Sequence, residues 1–182
     1  EDVVNCFNMA KKLEFNSINM DVIIGLPEEN INDVENTIRS VCELEPDNIT
    51  IHTLAVKRAS RLKEKLGDYR FVDQTTIEEM LSVSRNLVIQ KGFFPYYLYR
   101  QKYMLGNLEN VGYTKPYKEC IYNIQMMEEK QSIWAFGAGA VSKIYRSELN
   151  RIDRVPNVKN IREYINRIDE MIKRKQKALI EC

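Results

Sequence analysis

The chain has 182 residues, 44% hydrophobic and 29% charged, with a formal net charge of +1. That length supports one sizeable core, or one core with an appendage. The near-neutral balance argues against a global basic field for nucleic acid or an anionic membrane, and no apolar run approaches the roughly 20 residues of a membrane span.

Four cysteines, Cys6, Cys42, Cys120 and Cys182, lie far apart, so no local Cys-x-x-Cys pattern exists. Free thiols in a reduced, cytoplasmic protein are expected. His52 is the single histidine, which argues against a His-rich metal site. The opening residues Glu1-Asp2-Val3-Val4 are acidic and amphipathic and do not resemble a secretory leader. The stripe Val3, Phe7, Ala10 reads as a helix over 2–13 already under way, with no capping residue ahead of it. The chain is therefore expected to be a fragment of something longer.

Next comes an apolar run at 19–27, Asn-Met-Asp-Val-Ile-Ile-Gly-Leu-Pro. Strand-forming residues on both alternating sets suit a buried parallel strand, predicted over 18–26. Its single carboxylate, Asp21, is costly there unless paired. Asn32 with Glu35 resembles a capping box, opening a helix with Val34, Ile38, Val41 and Leu44 on one side. Residues 48–56 predict a second strand, with Ile49, Ile51, Thr53 and Ala55 facing one way and Thr50, His52, Leu54 and Val56 the other. A basic segment follows, with Lys57, Arg58, Arg61, Lys63 and Lys65. Thr75 or Thr76 is expected to cap a third helix that runs to Gly92. Strands about 30 residues apart fit right-handed βαβ units and a parallel sheet.

The rest of the chain differs. Residues 93–104 are aromatic-rich and predicted extended, 106–117 turn-like, 118–130 helical and 132–136 a strand. The segments 141–145 and 151–155 are expected to pair as a hairpin. A last helix begins near Pro156, with Val158, Ile161, Ile165, Ile168 and Ile172 on one face. The expected class is α/β, with a barrel-like part over 1–95 and a small α+β domain over 96–182.

Several residues could carry chemistry, each beside a plainer reading. Asp21 could accept hydrogen bonds from ligand hydroxyls, pair with a buried Arg, or serve as a strand-start carboxylate satisfied by backbone or solvent. Gly137-Ala-Gly-Ala-Val-Ser142 could let backbone approach a ligand, or simply permit tight packing. It is neither a GxGxxG nor a P-loop pattern, so a nucleotide-phosphate site is not supported. Lys57, Arg58 and Arg61 could meet carboxylates or form a solvated loop. The run 93–103, with Arg100 and Lys102, could stack on a planar ligand and hold its acids, or form a packed strand. His52 could transfer protons or be a satisfied strand residue.

Five pieces then carry a resemblance: Asp21-Val-Ile-Ile-Gly-Leu-Pro27, Ile49-Thr-Ile-His-Thr-Leu-Ala-Val-Lys-Arg-Ala-Ser60, Tyr96-Tyr-Leu-Tyr-Arg-Gln-Lys102, Gly106-Asn-Leu-Glu-Asn-Val-Gly-Tyr113 and Phe136-Gly-Ala-Gly-Ala-Val-Ser142. In this order they resemble the C-terminal half of a radical S-adenosylmethionine protein of the oxygen-independent coproporphyrinogen III oxidase family, in its coproporphyrinogen dehydrogenase branch. The resemblance implies part of a TIM-type parallel barrel with a C-terminal domain beside it. It implies that Asp21 lies near the cofactor ribose, with Ala55 and Val141 in the same cofactor region. It implies oxidative decarboxylation of two propionates of coproporphyrinogen III to vinyls, begun by a 5′-deoxyadenosyl radical, and hence a 4Fe-4S cluster and an electron donor protein. The Cys-x-x-x-Cys-x-x-Cys that should hold the cluster is absent from this chain, so these 182 residues alone are not expected to be active. Lys57, Arg58, Arg100 and Lys102 are chemically suited to the substrate's carboxylates. Related members bind haem instead, so a haem chaperone is the alternative reading, and a non-catalytic α/β interaction domain a third.

Overall fold

Residues 1–56, 62, 66–99 and 108–180 are described by the computed structural model. Their contacts form two compact units, Glu1–Ile124 and Gln125–Cys182.

In the first unit, α1 (Asp2–Lys12) precedes β1 (Asn19–Ile24), α2 (Ile31–Glu43) and β2 (Asn48–Thr53). A short 3-10 turn (Leu66–Asp68) leads to α3 (Gln74–Gln90), β3 (Phe94–Tyr99), β4 (Asn110–Thr114) and α4 (Ile121–Glu128). The sheet order is β1-β2-β4-β3. β1 and β2 pair in parallel, as the βαβ spacing predicts, with Asp21 opposite Thr50 and Ile23 opposite His52. β4 then joins β2 antiparallel, and β3 joins β4 antiparallel.

The division expected after residue 95 falls inside this unit. β3 and β4 hydrogen-bond into the sheet of β1 and β2, which draws residues 96–124 into the first unit. The turn-like reading of 106–117 missed β4. Its Asn110, Gly112 and Thr114 look like turn residues, yet the backbone ladder to β2 and β3 decides its conformation.

One face of the sheet is a hydrocarbon layer. Val22, Ile24, Ile49, Ile51 and Tyr113 pack with Val34, Ile38 and Cys42 of α2, Met80 and Val88 of α3, and Phe93. Each fully buried Ile or Val contributes roughly 1.5–3 kcal/mol of transfer free energy, as an upper bound. Cys42 takes the inward place on α2 that the sequence reading gave to Leu44, because the buried positions follow Val34, Ile38, Cys42 at i, i+4, i+8. The caps also sit earlier than expected. Asn30, not Asn32, forms the capping box of α2, with Asp33 returning the bond. Asp73, not a threonine, caps α3 by accepting from the Thr76 amide. In both cases the true cap accepts from the amide three residues on, which the candidate inside the first turn cannot reach.

The opposite face carries Asp21, Thr50, His52, Tyr97 and Tyr99. Gly112 decides how Tyr97 lies. A Cβ built there would overlap the Tyr97 ring, so the missing side chain leaves room for that ring across β4. An irregularity in register between Pro95 and Tyr97 places Tyr97 opposite Gly112. Pro95 is tolerated because β3 is an edge strand.

In the second unit, β5 (Val141–Arg146) and β6 (Arg151–Pro156) form the expected hairpin. Two helices follow, α5 (Ile161–Asn166) and α6 (Ile168–Ile180). Two expectations change. Residues 132–136 make only an isolated bridge, Ile133 to Lys143, rather than a strand. The last helix is broken at Arg167, and its buried residues are Met171, Lys175 and Ala178. Ile161, Ile165, Ile168 and Ile172 are exposed instead, the first to 69%. The break shifts the rotational phase, so the continuous isoleucine stripe does not become the packed face.

Gly112→Ala is expected to destabilise the protein by about 1–3 kcal/mol through overpacking. In a Tyr97→Ala background the same change should cost much less. Denaturant unfolding of the four proteins measures the coupling; equal costs in both backgrounds would show that Gly112 does not accommodate Tyr97.

Candidate functional site

Asp21 lies on β1, an edge strand, with 59% of its side chain exposed. An ionised carboxylate only accepts hydrogen bonds. Its neighbours are arranged to donate. Asn19 Nδ2 donates to Asp21 Oδ1 at 2.7 Å. The other end of that amide, Asn19 Oδ1, accepts from Thr50 Oγ1 at 3.0 Å. Thr50 has a single proton and gives it to Asn19, so at its 3.3 Å contact with Tyr97 the phenol is the donor. Burial pushes the Tyr97 phenol up to about 12, which keeps its proton in place at neutral pH.

His52 supplies a second line. Its Nε2 is buried and faces Asp21 Oδ1 at 3.4 Å, longer than a formed N–H···O bond. Its Nδ1 lies 3.0 Å from the Tyr99 hydroxyl. A neutral ring must carry its proton on Nε2 to face a carboxylate, so Nδ1 accepts from Tyr99. The carboxyl of Asp21 is held below its usual value. His52 is the largest cause, burial opposes it, and Asn19 adds to the lowering. Among the described residues both donors converge on Oδ1, which leaves Oδ2 available to a ligand.

The turn after β1 is shaped by backbone. Gly25 has φ +78°, and Glu29 Oε2 accepts from the amides of Gly25 and Leu26 at 2.7 and 3.0 Å. Ala55, expected on the second strand, lies two residues past the end of β2 at Thr53. The Leu54 amide donates to the Ile24 carbonyl at 2.9 Å and holds the two strand ends together.

In the second unit the Gly-Ala segment is a supported turn. Gly137 and Gly139 have φ of +102° and +74°. Tyr164 Oη accepts from the Gly137 amide at 3.1 Å, and Asn157 Nδ2 donates to the Gly137 carbonyl at 2.8 Å. Lys175, buried, donates from Nζ to Asn157 Oδ1. Burial lowers the Lys175 ammonium below its usual value. Val141 follows this turn and is 42% exposed.

Lys57, Arg58, Arg100 and Lys102 lie outside the described residues. No group of three or more His, Cys, Asp or Glu suited to a metal ion occurs among the described residues. A cluster-binding set therefore does not fit the described part of this chain, whereas an acceptor for ligand hydroxyls does. Among the described residues no helix is long and apolar enough to cross a membrane. Sequence reading singled out Asp21 and weighed His52. It did not find Asn19, and it placed Thr50 on the His52 face without giving it a role. The alternation within β2 was the available signal.

An α/β sheet with a donor-fed carboxylate on one strand suits a ligand-binding enzyme fold, and comparison with known proteins narrows the class. No family model matches the sequence. The chain is 37% identical, over 98% of its length, to the oxygen-independent coproporphyrinogen-III oxidase-like protein HemZ of Bacillus subtilis, and spans 36% of that protein. It is 24% identical to the heme chaperone HemW of the same organism over 93% of its length, and spans 40% of it. The structure of coproporphyrinogen III oxidase HemN from Escherichia coli, a radical SAM enzyme, shares the fold with a TM-score of 0.63 at 17% identity, over 92% of this chain and 37% of that one. The chain spans a little over a third of the length of HemZ and of the HemN structure, and the HemN structure shows the fold.

The depressed carboxyl of Asp21 carries a pH signature. Its stabilising contribution is fully present above the unfolded value near 3.8 and is lost as pH falls through the lower folded value. Asp21→Asn should therefore cost under about 1 kcal/mol at neutral pH, given the exposure. The difference from wild type should close below that window. Denaturant unfolding from pH 7 to 3 checks it; a difference that grows on acidification would contradict the assignment.

Proposed function

We propose that this chain is the C-terminal part of an oxygen-independent coproporphyrinogen III oxidase-like protein, in which Asp21 accepts the ribose hydroxyls of S-adenosylmethionine. The observation that carries this reading is the Asp21 carboxylate itself, ionised, anchored through Oδ1 and open at Oδ2. Coverage of 36% and 37% of two relatives supports the view that the chain is part of a longer protein. Ala55 is assigned to the same cofactor, and the resemblance alone assigns Val141 a cofactor contact. The cluster's ligands are assigned to residues outside this chain, which would make these 182 residues inactive alone. With a cluster, the bound cofactor would supply the radical chemistry that decarboxylation requires.

The substrate is assigned as a porphyrinogen, whose propionates would meet Lys57, Arg58, Arg100 and Lys102. Arginine suits such acids through bidentate bonds. A cytoplasmic setting and a protein electron donor complete the reading. The likeness to a heme chaperone motivates a second reading, in which the protein binds haem without oxidising a precursor.

In the full-length protein, Asp21→Ala should weaken S-adenosylmethionine binding roughly 10-fold or more, the loss expected for hydrogen bonds to a charged group, while the thermal midpoint stays close to wild type. Calorimetry measures the affinity; an unchanged value removes Asp21 from the site. Anaerobic turnover of coproporphyrinogen set against haemin titration separates the two functions. Tight haemin binding without decarboxylation would favour the chaperone.

A further inference from the structure

Two lines of polar contacts start at neighbouring tyrosines of one edge strand and end on the same carboxylate oxygen, the first in a hydrogen bond and the second in a longer contact from His52. One runs Tyr97, Thr50, Asn19, Asp21, with contacts of 3.3, 3.0 and 2.7 Å. The other runs Tyr99, His52, Asp21, with contacts of 3.0 and 3.4 Å. The two phenol rings are near-parallel, with an interplanar angle of 5°. Every donor along both lines points toward Asp21, because that carboxylate can only accept. Thr50 is 1% exposed, and the His52 side chain is 19% exposed. Their hydrogen bonding is therefore decided largely by protein partners.

We propose that His52, whose Nε2–H faces Asp21 and whose Nδ1 is held by Tyr99, is a positioning residue that fixes Asp21 Oδ1 and so presents Oδ2 to a ligand hydroxyl. The inference rests on the reading of Asp21 as a ribose acceptor, and names what makes that acceptor effective. The Asp21 side chain is 59% exposed, so its carboxylate needs a fixed partner to hold one orientation. Asn19, two residues away on the same strand and itself held by Thr50, supplies one such partner. His52 belongs to the adjacent strand and ties the carboxylate to the sheet. At 3.4 Å the contact closes to a full hydrogen bond with a shift of a few tenths of an ångström. Asp21, which can only accept, selects the Nε2–H tautomer, and Tyr99 donates to the Nδ1 lone pair that this leaves, holding the ring in place.

Glutamine and asparagine separate this role from packing. A glutamine amide reaches about as far as Nε2 and can still donate to Asp21, whereas an asparagine amide reaches only the Nδ1 position. In the full-length protein, with its cluster reconstituted anaerobically, S-adenosylmethionine affinity is measured by calorimetry for His52→Gln, His52→Asn and Tyr99→Phe. The same His52 variants are measured in an Asp21→Ala background. His52→Asn should weaken binding roughly 10-fold, and His52→Gln should stay within roughly 3-fold of wild type, as expected for one charge-assisted hydrogen bond. Tyr99→Phe should fall in the same direction as His52→Asn. In the Asp21→Ala background the His52 changes should have no further effect, because the only route from His52 to the ligand has been removed. Equal losses for Gln and Asn, or an undiminished His52→Asn effect without Asp21, would overturn the proposal and leave His52 a packing residue. A wild-type affinity in Asp21→Ala alone would instead remove the ribose site, and the positioning role with it.

Discussion

A carboxylate on a sheet face has to be supplied with donors, and that requirement organises much of the first unit. Asp21 takes Asn19 from its own strand and faces His52 on the next. His52 is in turn served by Tyr99, and Asn19 by Thr50, which meets Tyr97; both tyrosines come from β3, which is not adjacent to β2 in the sheet. The reach of Tyr97 to Thr50 is possible because β4, lying between, presents glycine at position 112. A local choice of residue on β4 therefore governs the electrostatics of a residue on β1. The opposite face has no comparable demand and closes as hydrocarbon against α2 and α3. One sheet thus serves two purposes, with the division set by the alternation of side chains along each strand.

The second unit repeats the logic with the opposite charge. Lys175 is buried on α6, where an ammonium is costly. Its partner Asn157 uses the far end of the same amide to hold the Gly137 carbonyl. Tyr164 takes the Gly137 amide. The glycine turn is consequently held from both sides by groups with little freedom of their own. In both units a buried or half-buried charge reaches the feature it supports through an asparagine, whose amide accepts at one end and donates at the other.

Much of the fold was legible from periodicity. α1, α2, α3, the β1–β2 parallel pair and the β5–β6 hairpin follow from apolar spacing and turn residues. The failures share a cause. β4 lacks a strand-like composition, and its conformation comes from ladder bonds to strands on both sides. The isoleucine stripe of α5 and α6 has convincing local spacing, yet a break at Arg167 hands the packed face to Met171, Lys175 and Ala178. The caps were misread by a residue or more because several Asn, Asp and Thr stand together there, and only geometry selects the one that reaches the right amide.

For the site, the sequence by itself determined that a lone carboxylate interrupts an apolar strand, that His52 and Thr50 share one face of the next, and that tyrosines cluster at 96–99. Those statements depend only on residue type and on the two-residue repeat of a strand. Tertiary structure alone decided that these pieces meet. Strand order, the irregular register at Pro95 and the open space at Gly112 are properties of pairing between distant segments, which no local pattern encodes. The chemistry of Asp21 was visible in one residue; the apparatus that orients it exists only once three other strands have been laid beside it.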